Sequence, residues 1–242
     1  MVARAVTLLD STVGKKAVMG VTGLIMFGFV VGHMVGNLQI FLGPEAINSY
    51  AATLRKVHGL LWVARAVLLA SIALHVWALI GLRVRNARAR PVPYSHTRKN
   101  LATNLSTVTM ALSGLGLVFY LIYHLAHLTF GFGPGYDHQN VYNNLVYGFQ
   151  NPVITLIYVL ANLLLGLHLF HGGSAWLNSL GLNHARYNAR LRSVALVVAL
   201  SVTVGNVVMP LSVIAGLVQP TDERFCFEEL AKTPDECAPA KN

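Results

Sequence analysis

Polar and apolar positions do not alternate along this chain. They separate into five long apolar stretches and the polar segments between them, and the stretches run approximately over residues 16–42, 59–82, 104–130, 152–177 and 193–218. Each reaches or exceeds the ~20 residues that a helix, rising about 1.5 Å per residue, needs to cross about 30 Å of hydrocarbon. Their continuous apolar character excludes a closed β-barrel, whose strands alternate lipid-facing and lumen-facing residues. The expected fold is all-α: a polytopic membrane bundle of five transmembrane helices over residues 1–218, followed by an acidic tail, 219–242.

Composition sharpens this picture. Of 242 residues, 55% are hydrophobic and 11% charged, against about a quarter charged in soluble domains. That excludes a disordered chain, a disulfide scaffold and an ordinary soluble α/β enzyme. The net charge of +9 does not indicate a nucleic-acid partner, because the basic residues flank the apolar stretches and form no patch interleaved with aromatics. It indicates orientation instead. Twelve Lys and Arg lie on one side (Arg4, Lys15 and Lys16, then six between Arg83 and Lys99, then Arg186, Arg190 and Arg192), whereas the other side holds Arg55, Lys56, Arg224, Lys232 and Lys241. The richer side is cytoplasmic by the positive-inside rule, so the N-terminus is expected inside and the tail outside.

No span contains Asp or Glu, and Arg65 is the one basic residue well inside a span. A carboxylate proton relay of the pump type is therefore not expected, and Arg65 must face a partner or snorkel to the outer surface. The opening MVARAVTLLD has no long apolar core before Lys15, so no cleaved signal peptide is expected. No internal repeat stands out. Cys226 and Cys237, the only cysteines, both fall in the outer tail. An oxidising exterior permits a disulfide between them, and two free thiols are equally compatible.

The histidines are the anomaly. Six of ten lie within spans: His33, His75, His124, His127, His168 and His171. An unpaired imidazole in hydrocarbon is costly, which makes each a functional candidate, with a helix–helix hydrogen bond as the plain alternative. Depth sorts four of them. His33 and His124 lie about ten and seven residues before the outer ends of spans one and three; His75 and His168 lie about eight and ten before the inner ends of spans two and four. Two histidines at one depth on two helices can clamp one iron axially, so the chain has ligands for two stacked haems. His127 and His171 each follow a candidate by three residues on the same helix face and are alternates at this point. Gly20, Gly23, Gly28, Gly32 and Gly36 in span one, with Gly114 and Gly116 in span three, allow close approach of a helix or of a flat macrocycle.

The segment SxxxxKxxMGxTG from Ser11 to Gly23, the HMxGN element at His33 with the following GPEAxNxY, and the segments around His124 (LVFYLIYHLAHLTFG) and His168 (LLLGLHLFHGGSAWLNSLG) together resemble the cytochrome b subunit of succinate:quinone oxidoreductases, in its single-subunit, five-helix, dihaem form. The resemblance covers about residues 11–218; the tail is longer than the family's usual ending. It implies a membrane anchor of a succinate dehydrogenase or fumarate reductase. Such an anchor binds two haem b and passes electrons from an iron–sulfur subunit to membrane quinone, menaquinone by preference. A flavoprotein subunit and the iron–sulfur subunit dock on the cytoplasmic face and hold FAD and the iron–sulfur clusters, so this chain carries no succinate chemistry. The implied location is the inner membrane of a prokaryote. The implied axial ligands are His33 with His124 for an outer haem and His75 with His168 for an inner one; the family keeps the first His of each HxxH pair, which favours these over His127 and His171. Quinone or propionate candidates are Arg65, His58, Asn37 and Glu45 on the outer side, and Ser11, Lys15 and Arg83 on the inner side. Rival readings are the cytochrome b anchor of a hydrogenase or formate dehydrogenase, a haem-free anchor, and a transporter with pore histidines.

Overall fold

The computed structural model describes residues 10–89, 109–133, 135–179, 185–222 and 225. Among them every regular element is helical. In chain order these are α1 (Thr12–Asn37), a 3-10 turn (Leu38–Leu42), α2 (Pro44–Lys56), α3 (His58–Ala89), α4 (Met110–His124) ending in a π turn (Leu125–Thr129), α5 (Val141–Gln150), α6 (Pro152–Ser179) and α7 (Ala185–Ile214).

Five of these helices are long and apolar enough to cross a membrane. They are the five apolar stretches with shifted ends. The first span is α1 plus the 3-10 turn, beginning at Thr12 because Ser11 accepts a hydrogen bond from the Gly14 N–H at 2.8 Å and caps the helix. The second runs on to Ala89, since Arg83, Arg85 and Arg88 are good helix formers once past the hydrocarbon. The fifth begins at Ala185 for the same reason and carries Pro210 one turn before its end. Residues 104–108 of the third predicted span, the RPVP loop, and Cys226 and Cys237 lie outside the described residues.

The spans bury little of themselves. Large apolar side chains such as Leu69, Phe119 and Val197 stay more than half exposed, as expected of helices whose outer solvent is lipid. The tight apolar cluster sits at the outer end instead, built on Ile40, Ile47, Val146, Phe149, Met209 and Val213. Two helices that the hydropathy pattern does not reveal, α2 and α5, roof that end. Gly43 adopts φ 103°, which glycine tolerates freely, and turns the chain into Pro44 at the start of α2. A Cβ on Gly36 would lie 2.8 Å from the Tyr50 ring, so glycine lets that ring lie close against α1 where α2 folds back. The roof is pinned by asparagines: Asn48 donates to Asn140 Oδ1 (3.2 Å) and accepts from the Tyr142 N–H (3.0 Å). Asn143 exchanges two hydrogen bonds with the Thr221 backbone. The GPEAxNxY element is thus the hinge and latch of an outer cap.

The extensive helix contacts are α6 with α7, α1 with α3, α4 with α6, and α1 with α6; α1–α4 and α3–α6 are not among them. The order around the bundle is therefore α3, α1, α6, α4, with α7 packed outside α6.

Candidate functional site

The two histidine pairs expected from depth are the two that meet, and each spans a diagonal of the bundle. His33 on α1 faces His124 on α4 with ring centroids 5.8 Å apart and planes at 89°. His75 on α3 faces His168 on α6 at 6.4 Å and 54°. Two imidazoles bound to one metal through bonds of about 2 Å place their centroids roughly 6 Å apart, once about 1.1 Å from nitrogen to ring centre is added on each side. Both spacings match that requirement, on helices that are not close packing neighbours. The flanks are open: a Cβ on Gly28 or Gly32 would meet nothing within 4 Å, and His33, stacked on Phe29 at 5.3 Å, is exposed in the isolated chain.

The Nδ1 atoms of the other three imidazoles are held by hydroxyls. Thr22 Oγ1 lies 3.2 Å from His75 Nδ1, and Ser113 Oγ lies 3.4 Å from His168 Nδ1. Tyr158 Oη lies 3.3 Å from His124 Nδ1 and 2.9 Å from His127 Nδ1. With one proton on Tyr158, a consistent assignment is that His124 Nδ1–H donates to Tyr158 and Tyr158 donates to His127. His124 then keeps its Nε2 lone pair.

The alternates are placed differently. His127, only 5% exposed, is seated between Gly133 and Gly148, where an added Cβ would come within 2.9 and 2.7 Å of its ring. The π turn that contains it stacks it on Tyr123 and aims it at Tyr158. Its ring is thus held by Tyr123, Tyr158 and the two glycines and is not one of the two facing pairs. His171 is half-buried, and its backbone carbonyl accepts a hydrogen bond from Ser174.

The remaining candidates divide by side. On the inner side Ser11 is the α1 cap. Lys15, 6% exposed, places Nζ 3.9 Å over the Trp77 ring and its stem against Gly81, one turn inward of His75. Arg83 is exposed. On the outer side Arg65 is exposed on α3 and lies 5.0 Å over Trp62, so it snorkels along an aromatic rather than meeting the histidines. Asn37 precedes the 3-10 turn, Glu45 is exposed in the first turn of α2, and His58 opens α3 with its side chain outside the described part. Burial lowers the pKa of the Arg55 guanidinium, against Tyr136 and Asp137, which raise it; Arg65 adds to the lowering. Arg55 donates to the His138 carbonyl. Burial also raises the Tyr142 phenol, a donor to the Gln219 carbonyl.

No family model, curated protein or solved structure matches the chain.

Sequence reasoning missed Thr22, Ser113 and Tyr158. The signal for the first two is present: each precedes a glycine and stands eleven residues before an outer histidine, in TGLIMFGFVVGH (22–33) and SGLGLVFYLIYH (113–124). That is a short internal correspondence which the periodicity of the spans conceals. An open apolar groove of about 460 Å³, lined by Leu163, Val204, Val208 and Leu211 among others, opens on the α6–α7 face and includes no histidine.

Proposed function

We propose that this multi-pass membrane protein is the dihaem cytochrome b anchor of a succinate:quinone oxidoreductase in a prokaryotic inner membrane, passing electrons from an iron–sulfur subunit on the cytoplasmic side to membrane quinone. The observation that carries the haem part is the pairing of four histidines from four helices, at two depths and at the spacing one shared metal requires. Among the described residues no group of three or more His, Cys, Asp or Glu assembles, so the donor set at each level is two imidazoles. Such a set suits a metal that brings its own equatorial ligands, as haem iron does. His33 and His124 would hold the outer haem, and His75 and His168 the inner one. When bound, two b-type haems supply one-electron carriers at two depths.

The chain's own contribution is positional. Thr22, Ser113 and Tyr158 orient three ligand imidazoles, and the asparagine latch closes the outer end above the outer pair. On the inner side Lys15 and the buried Trp176 Nε1–H, a donor with no partner among the described residues, are suited to a propionate or quinone oxygen. The succinate partner, the flavoprotein and the quinone class rest on the resemblance of the Ser11–Gly23 and His33–Tyr50 segments.

The test is a dithionite-reduced optical spectrum with pyridine haemochrome quantification on the purified membrane protein and its co-purifying subunits. Two b haems per chain, with a flavoprotein and an iron–sulfur subunit, are expected. One haem means that one pair is not a ligand pair, and none removes the electron-carrier reading.

A further inference from the structure

We propose that Thr22 and Ser113 are positioning residues that lock the inner imidazoles in the tautomer whose Nε2 is the free lone pair, and that this lock is delivered by the two helices carrying the outer pair. The inference rests on the haem reading above.

The proton arithmetic is closed at both positions. Thr22 has one hydroxyl hydrogen, and Val18 O lies 2.7 Å from its Oγ1. With the hydrogen committed there, Thr22 faces His75 Nδ1 only as an acceptor, so Nδ1 carries the proton and Nε2 of the neutral ring is bare. Ser113 repeats this on α4: it donates to Met110 O at 3.0 Å and accepts from His168 Nδ1. The two hydroxyl residues are 5% and 0% exposed, so no competing solvent contact is open to them. The glycine after each receives the same atom of the ring. An added Cβ on Gly23 would lie 3.5 Å from His75 Cε1, and one on Gly114 would lie 3.6 Å from His168 Cε1.

Bonding back to the preceding turn is common for Ser and Thr in membrane helices. Thr203 and Ser174 do so here without facing an imidazole. Back-bonding therefore accounts for Val18 and Met110, but not for a hydroxyl–glycine pair standing against each inner histidine. Helical geometry explains the delivery. Eleven residues turn about 1100°, within about 20° of the starting face, and rise about 16 Å. So α1 and α4 each present an outer ligand and, on the same face, the seat of an inner one.

The test uses Thr22→Val, Thr22→Ser, Ser113→Ala and Ser113→Thr in the purified haem-loaded protein, read by redox titration and by the ferric low-spin EPR signals. A hydrogen bond to the distal N–H makes an imidazole a stronger donor. Its loss in Thr22→Val or Ser113→Ala should raise the inner haem's midpoint by about a tenfold change in its oxidation ratio, roughly 59 mV for one electron, and shift its EPR signal. The outer haem should stay unchanged, and the conservative variants should restore both values. Two haems with an unmoved inner midpoint in Thr22→Val and Ser113→Ala overturn the proposal. So does loss of the inner haem in all four variants, which would mark a packing role. Absence of haem from the wild-type protein would instead sink the functional reading beneath it.

Discussion

Asn48 is the side chain on which the outer cap depends most heavily. It is 1% exposed and joins α2 to the start of α5 through two hydrogen bonds. The Tyr142 N–H that it accepts belongs to the first turn of α5, where a backbone donor has no intrahelical acceptor. Replacing Asn48 by alanine leaves that N–H buried without a partner, at about 1–3 kcal/mol, and removes the bond to Asn140, worth about 1 kcal/mol. A total of roughly 2–4 kcal/mol corresponds to a fall in melting temperature of about 5–15 °C for a chain of this size. Asn48→Asp keeps the acceptor for Tyr142 but sets a carboxylate beside Asn140 Oδ1, so it should fall between wild type and alanine. Asn206, whose amide only donates to Val202 O within its own helix, is the control, with an expected change of about 0.6 kcal/mol or less in Asn206→Ala. The assay is thermal unfolding of the detergent-solubilised protein, followed by circular dichroism. If Asn48→Ala melted within about 2 °C of wild type, the cap would not be held by this latch and the reasoning would fail.

Three further outcomes are expected. His168→Ala should leave one of two haems and His171→Ala both; the reverse result would exchange the ligand assignment, since only His168 faces His75. Tyr158→Phe removes the hydroxyl shared by His124 and His127, so haem content should stay at two while the outer haem's midpoint moves and the inner one's does not; an inner shift alone would contradict the placement. Gly36→Val drives a side chain into the Tyr50 ring and should cost about 1–3 kcal/mol by overpacking, read as a lower melting temperature that Tyr50→Ala partly recovers.

What was legible in the sequence is what reduces to distance along one axis. Long apolar runs fix the spans, and the rise per residue converts each histidine's place in a run into depth, which is enough to pair His33 with His124 and His75 with His168. The different settings of His124 and His127 could not be read from the sequence, because the niche between Gly133 and Gly148 that seats His127 needs the loop and α5 to be in place. The cap was illegible for a similar reason. Asn48 and Asn140 are 92 residues apart, and the segments carrying them read as polar loops because α2 and α5 bury their faces only against each other and the helix ends. Thr22 and Ser113 were overlooked because a hydroxyl in an apolar helix is ordinarily satisfied by its own backbone.

The diagonal arrangement accounts for how one bundle can keep two sites in register. If each level were built from its own pair of helices alone, a small rotation of α1 would disturb only the outer site. Here α1 presents Lys15, Thr22 and His33 at intervals of seven and eleven residues, whose angular drifts of about −20° and +20° cancel over eighteen residues, five turns of helix. The same rotation therefore carries His33 away from His124, the hydroxyl away from His75 and the lysine away from Trp77 together. On α4, Ser113 and His124 are bound in the same way, and α6 adds Tyr158 and His168. Three of the four helices thus hold a proposed ligand for one level and a hydroxyl against a proposed ligand of the other. The packing that holds either level is strained by displacing the other, so the levels are stabilised as a unit, and the lipid-exposed middle of the bundle needs no tight apolar core to fix their separation.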